Sequence, residues 1–176
     1  PYSALVSTCR IIFLTITDPD QEINDGVFEP IEIIAEKGSI VNCMRPAAVS
    51  ICWESMLPAV DAICKAIAPA FPTKITASNY NTVGAFIIAG NHPENGEPFI
   101  NVAPSLGGWG AGLDLEGQAA QFCVGNGETF NIPVEVLETR YGFLVENYGL
   151  NTEDKAGAGE FRGGSGVIRQ YKMRTD

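Results

Sequence analysis

A chain of 176 residues carries 11 Lys and Arg against 21 Asp and Glu, a net charge of −10 at neutral pH. With 45% apolar and 18% charged residues it can bury a core, which excludes intrinsic disorder, and its acidity repels phosphate backbones, which argues against a nucleic-acid partner. No apolar run nears the ~20 residues a membrane helix needs, and Pro1-Tyr2-Ser3-Ala4 has no basic stretch ahead of an apolar one, so no secretory signal is expected.

In chain order, Ile11-Ile12-Phe13-Leu14-Thr15-Ile16 is a β-branched and aromatic run that predicts a strand, followed by a turn at Asp18-Pro19-Asp20. Because Pro1 is no natural initiator and this core-grade run follows so soon, the chain reads as a fragment, a processed piece or one partner of a split polypeptide. Asp25-Gly26 favours a tight turn, and Val27 to Ile34 alternates apolar residues with Glu29 and Glu32, again as a strand would. Lys37-Gly38-Ser39 turns into a short Ile40-Val41 strand, so the N-terminal quarter is expected to be β.

From Ser50 to Ala68 the period changes. Trp53, Met56, Leu57, Val60, Ile63, Cys64 and Ile67 recur at three and four residues, which predicts one principal helix over about 50–68 with a core-facing stripe. Pro58 inside it predicts either a kink or a shorter helix capped by Ser55 and starting near Pro58; Pro69 and Pro72 end it. Phe86 to Ala89 and Phe99 to Val102 flank a polar turn and predict a hairpin. That turn holds His92, the only histidine, expected as a solvated turn residue; one histidine cannot build a His-rich metal site from this chain alone.

The last third is rich in glycine, at 107, 108, 110 and 112, at 125 and 127, at 157 and 159, and at 163, 164 and 166. Glycines so grouped mark tight turns or close backbone approach to a ligand or another chain. Core-grade segments interrupt them at 131–138 and 143–145; Glu135 and Glu138, three apart, would lie on opposite faces of a strand and make a weak carboxylate pair. Gly166 to Lys172 alternates like a terminal strand. The whole reads as a single α+β unit over 1–176, β-rich, with one principal helix and several Gly-rich turns.

Cysteines at 9, 43, 52, 64 and 123 are odd in number and form no Cys-x-x-Cys pair, which predicts reduced, largely buried thiols in a cytoplasmic protein. A P-loop, a dinucleotide fingerprint and a Gly-x-Ser-x-Gly elbow are all missing.

Five ordered blocks nevertheless point to a family. Gly26-Val27-Phe28-Glu29-Pro30-Ile31-Glu32, Arg45-Pro46-Ala47-Ala48-Val49, Gly107-Gly108-Trp109-Gly110-Ala111-Gly112, Asn131 to Glu138 and Gly157 to Val167 together resemble the C-terminal half of B-type subunits of the hydantoinase B/oxoprolinase family. Two departures, Asp114-Leu115-Glu116-Gly117 and Asn131-Ile132-Pro133, suit a subfamily. The resemblance implies an ATP-dependent hydrolase of cyclic amides (hydantoin, oxoproline or lactam), active as a hetero-oligomer with an A-type subunit that holds ATP and Mg. It also implies that a divalent metal and the main catalytic groups sit on the N-terminal half of the B-type subunit, the other partner of this chain. An ATP-dependent ketone carboxylase of the acetone or acetophenone kind is the alternative chemistry, and a non-catalytic interface module the alternative class. No catalytic residue or metal ligand is assigned here. The substrate-facing candidates are Gly108, Trp109 and Gly110, an aromatic wall beside approachable backbone amides, followed by Asn131 and Glu135; Arg162 is left without a role.

Overall fold

The computed structural model describes residues 2–124, 129–154 and 156–174; Pro1 and the Gly125-Asn126-Gly127 group lie outside the described residues. Among the described residues, three α-helices and four antiparallel strands make a mixed α+β fold with two small sheets.

The N-terminal quarter is helical and irregular rather than β. Helix α1 (Tyr2–Thr17) absorbs the 11–16 run, because Leu5, Cys9 and Leu14 bury one face of it and Leu5 and Cys9 meet Met56. β-branched residues cost a helix up to about 0.7 kcal/mol each, whereas a buried Leu or Met contributes about 1.5–3 kcal/mol, so packing decides the conformation. Residues 27–34 form no ladder. A 3-10 turn at Asp25–Phe28 is capped by Asn24, whose side chain accepts from the Val27 amide. The carbonyls that follow are taken by side chains: Tyr2 Oη donates to Ile33 O at 3.1 Å, Arg10 Nη2 to Ile31 O at 3.0 Å and Asn42 Nδ2 to Ala35 O at 2.8 Å. Ile40–Asn42 is likewise a 3-10 turn, not a strand.

Helix α2 (Trp53–Ile67) stands where its period places it and buries Met56, Leu57 and Val60. It runs through Pro58, which lies on its exposed side, and Ser55 is inside the helix rather than its cap. Strands β1 (Phe86–Asn91) and β2 (Pro98–Ala103) form the expected hairpin, with Ile88 opposite Asn101. Helix α3 (Val134–Arg140) occupies a segment read as strand. Strands β3 (Phe143–Leu150) and β4 (Val167–Met173) pair antiparallel, with a bulge between Val145 and Asn147. The hairpins meet through an aromatic core in which Phe143, fully buried, has Tyr171 edge-on at 5.0 Å and Tyr141 stacked at 5.6 Å.

Between the helical and aromatic cores runs a seam of bare backbone. Gly107 exchanges amide hydrogen bonds with Gln121, the Trp109 amide donates to Gln118 O, and the Gly164 amide donates to Trp109 O. A Cβ on Gly108 would sit 1.7 Å from Gly164 O, and one on Gly164 would sit 2.0 Å from Gln118 O. The glycines thus let segments of main chain touch directly, a close approach no side chain tolerates.

Candidate functional site

Trp109 projects from this seam toward the helices. Its indole Nε1 donates to Phe122 O at 2.7 Å, and its half-buried ring helps wall a cavity of about 400 Å³ together with Ile12, Ile16, Val60, Cys64 and Leu115. Such a volume suits a small organic molecule. Asp61 and Lys74 supply the charged groups at its edge. Burial pushes the Cys64 thiol above its ordinary pKa of 9.0, and the Asp61 carboxylate pushes the same way, so Cys64 stays protonated and is no nucleophile at neutral pH. The amides flanking Trp109 are less open than the sequence suggests. Gly107, Trp109, Gly110 and Gly112 donate to the carbonyls of Gln121, Gln118, Ser78 and Leu115, so this turn offers a phosphate none of those four donors.

Glu135 lies elsewhere. In α3 the three-residue spacing puts Glu135 and Glu138 on one helical face rather than on opposite faces of a strand. Both line an open depression with His92, Glu94 and Arg174. His92 is buried, not solvated: its Nδ1 accepts from the Glu94 amide at 3.3 Å, and its own main chain closes the β1–β2 turn. Arg174 hydrogen-bonds Glu94 and holds its carboxyl below the usual range. Glu138 is structural, its Oε1 accepting the Val145 amide at 2.7 Å.

Asn131 belongs to a third place. Its Oδ1 accepts from Arg169 Nη2 at 2.8 Å, and the same nitrogen donates to Tyr148 Oη at 2.8 Å, while the guanidinium stacks 4.3 Å from the Tyr148 ring centre. The structure therefore brings Gly108, Trp109 and Gly110 together but separates them from Asn131 and Glu135, which sit in two further depressions. Among the described residues, no three His, Cys, Asp or Glu side chains converge as a metal site would require.

The sequence profile of the hydantoinase B/oxoprolinase family matches residues 1–176. The chain belongs to this family. It is 33% identical, over 99% of its length, to an uncharacterized protein of Methanocaldococcus jannaschii, of which it spans 30%. It is 32% identical to the 5-oxoprolinase PfmaA of Pestalotiopsis fici, covering 98% of this chain and 13% of that one. It is 31% identical to the caprolactamase subunit beta of Pseudomonas jessenii, covering 82% of this chain and 26% of that one. A nucleotide-free acetone carboxylase structure superposes with a TM-score of 0.75 over 96% of this chain and 23% of its own, at 22% identity, a likeness of fold. The chain thus spans under a third of the length of these relatives.

Within the hydantoinase B/oxoprolinase chain, the two glycine blocks that carry the family resemblance become the backbone seam, and the Asn131 to Glu138 block becomes the entry to α3. The sequence reading missed Asn101 and Arg169. Asn101 falls on the inward parity of β2 with Phe99 and Ala103, and Arg169 on that of β4 with Tyr171; a polar residue in a buried register is the signal that could have found both.

Proposed function

We propose that this chain is the C-terminal part of a B-type subunit in an ATP-dependent enzyme that opens cyclic amides such as hydantoins, oxoproline or lactams. The observation that carries the reading is the family match along all 176 residues, joined by relatives named for 5-oxoproline and caprolactam at 31–32% identity. The ketone-carboxylase alternative draws on a 22% likeness, which speaks for shared architecture alone. The chemistry is coherent. Nitrogen donation makes an amide carbonyl a poor electrophile; phosphorylating its oxygen withdraws that donation, so water adds to the carbon and the ring C–N bond breaks with the nitrogen taking a proton. A second water then releases phosphate from the acyl phosphate to leave the carboxylate. Such an activated oxyphosphate needs a closed site away from bulk water.

Among the described residues, the four glycine-turn amides named above are spent on protein carbonyls and no cluster of three His, Cys, Asp or Glu side chains forms. ATP and Mg are assigned to an A-type subunit, and a divalent metal with the main catalytic groups to the N-terminal half of the B-type subunit, in a cytoplasmic hetero-oligomer. Among the described residues no helix is long and apolar enough to cross a membrane. This chain's share is a wall: the Trp109 indole, backed by Gly108 and Gly110, shields the reacting ring from water, while Asn131 and Glu135, placed in two separate depressions, are not part of that wall.

The test is a purified A-type and B-type complex containing this chain, supplied with 5-oxoproline, hydantoin or caprolactam. Ring opening should require ATP, consume it and ignore bicarbonate. Undiminished opening without nucleotide, or turnover only of a ketone with bicarbonate, overturns the reading.

A further inference from the structure

Asn101 is almost fully buried, at 1% exposure, yet its Oδ1 has no hydrogen-bond partner among the described residues. Arg169 Nε is likewise buried and unpartnered. Both residues line one cavity of about 120 Å³, walled by Leu137, Val145, Tyr148 and Tyr171, with Phe130 (89% exposed) at its rim. That volume is roughly ten times what a single water needs and well below the ~300 Å³ of a drug-sized pocket. It shares no lining residue with the Trp109 cavity.

The two orphans define what would fill it. Asn101 Oδ1 needs a donor and Arg169 Nε–H needs an acceptor. Arg169 is also held only by neutral groups, Asn131 and Tyr148, and forms no ion pair among the described residues, in a chain of net charge −10. A half-buried guanidinium without a carboxylate favours an anion, and its fork suits a carboxylate. Tyr148 and Asn131 fix the guanidinium in place, which lowers the ordering cost of binding. We infer that this cavity is a binding site for a small carboxylate bearing an N–H donor, with the carboxylate on Arg169 and the N–H on Asn101. The site stands apart from the Trp109 wall and needs no nucleotide.

Three probes separate the contributions when titrated calorimetrically into the assembled complex without ATP. 5-Oxoproline has both carboxylate and ring N–H, cyclopentanecarboxylate lacks the donor, and 2-pyrrolidinone lacks the carboxylate. 5-Oxoproline should bind at least about tenfold more tightly than either truncated probe, the worth of one well-made hydrogen bond. Asn101→Leu should cost that same factor for 5-oxoproline while leaving the melting temperature of the ligand-free complex unchanged or higher, since it removes an unsatisfied acceptor. Asn101→Asp, isosteric and able to compete for the Arg169 guanidinium in the same cavity, should weaken binding of both carboxylates more than that of 2-pyrrolidinone. Equal affinity for 5-oxoproline in native and Asn101→Leu complexes, or no binding to the native complex, overturns the proposal. ATP-dependent ring opening, measured separately, reports on the hydrolase reading and can stand or fall without this site.

Discussion

Trp109 is where packing and chemistry are hardest to separate, because one side chain does two things. Its Nε1–H satisfies Phe122 O at 2.7 Å, and its ring walls the 400 Å³ cavity. Trp109→Phe keeps an aromatic face and loses the hydrogen bond, so it should cost about 1 kcal/mol of stability and leave kcat within a few-fold of native. Trp109→Ala removes the wall as well. For a half-buried ring the stability loss should fall near the lower end of the large-to-small range, about 3 kcal/mol, and turnover of a lactam should drop at least about tenfold through water entry. Activity has to be compared at a temperature where circular dichroism shows both variants folded. A folded Trp109→Ala complex with near-native kcat would remove Trp109 from the site.

Helix α3 and strand β3 are joined by a link that belongs to neither element alone. Val145 stands beside the β3 bulge, and its amide finds Glu138 Oε1 at 2.7 Å across the α3–β3 turn. Glu138→Ala should leave that half-buried amide unsatisfied and cost about 1–2 kcal/mol, or roughly 2–4 °C of melting temperature per kcal/mol for a domain of this size. Glu138→Gln keeps an acceptor and should lose little; equal melting temperatures for all three proteins would deny the link. This helix was illegible in the sequence because Asn131 to Glu138 is short and its valines favour strands, so the period had too few residues to register. The 11–16 run in α1 failed differently: five apolar residues broken only by Thr15 satisfy either period, and only Leu5 and Cys9, before the run, disclose the helical face. Helix α2, with seven apolar positions at helical spacing, the β1–β2 hairpin around its polar turn, and β4 as a terminal strand were legible, whereas the pairing of β3 with β4 across residues 151–166 was not. The site was legible in part. The Trp109 block announces itself by composition, whereas the Asn101–Arg169 cavity exists only once β2 and β4 converge.

Among the described residues, two small cores are welded along main chain, and four ionisable groups with raised pKa values sit in the helical core or at that weld. Cys9 and Cys64 lie in the α1–α2 core region, with Cys64 on the Trp109 cavity; Tyr80 and Cys123 face the glycine seam, where the Tyr80 ring fills the space a Cβ on Gly107 would take. Burial raises all four: Cys9 with help from neighbouring Cys64, Cys64 with help from Asp61, Cys123 with help from Glu54, and Tyr80 to about 12 with help from Cys123. A raised folded-state pKa means the native state holds its proton more tightly than the unfolded chain. The associated stability is therefore complete below the ordinary values of 9.0 for the thiols and 10.0 for tyrosine, and is lost as pH climbs through them toward the folded values. Melting temperature should hold steady from about pH 7 to 8.5 and then fall progressively to pH 11, the helical core and the seam loosening together. Tyr80→Phe forfeits the bond from Tyr80 Oη to Ser105 O, so it should melt lower at neutral pH yet decline less steeply above pH 10. A melting temperature that stays flat across pH 8–11, or a Tyr80→Phe curve parallel to native, would show that proton release at the welds does not govern alkaline unfolding.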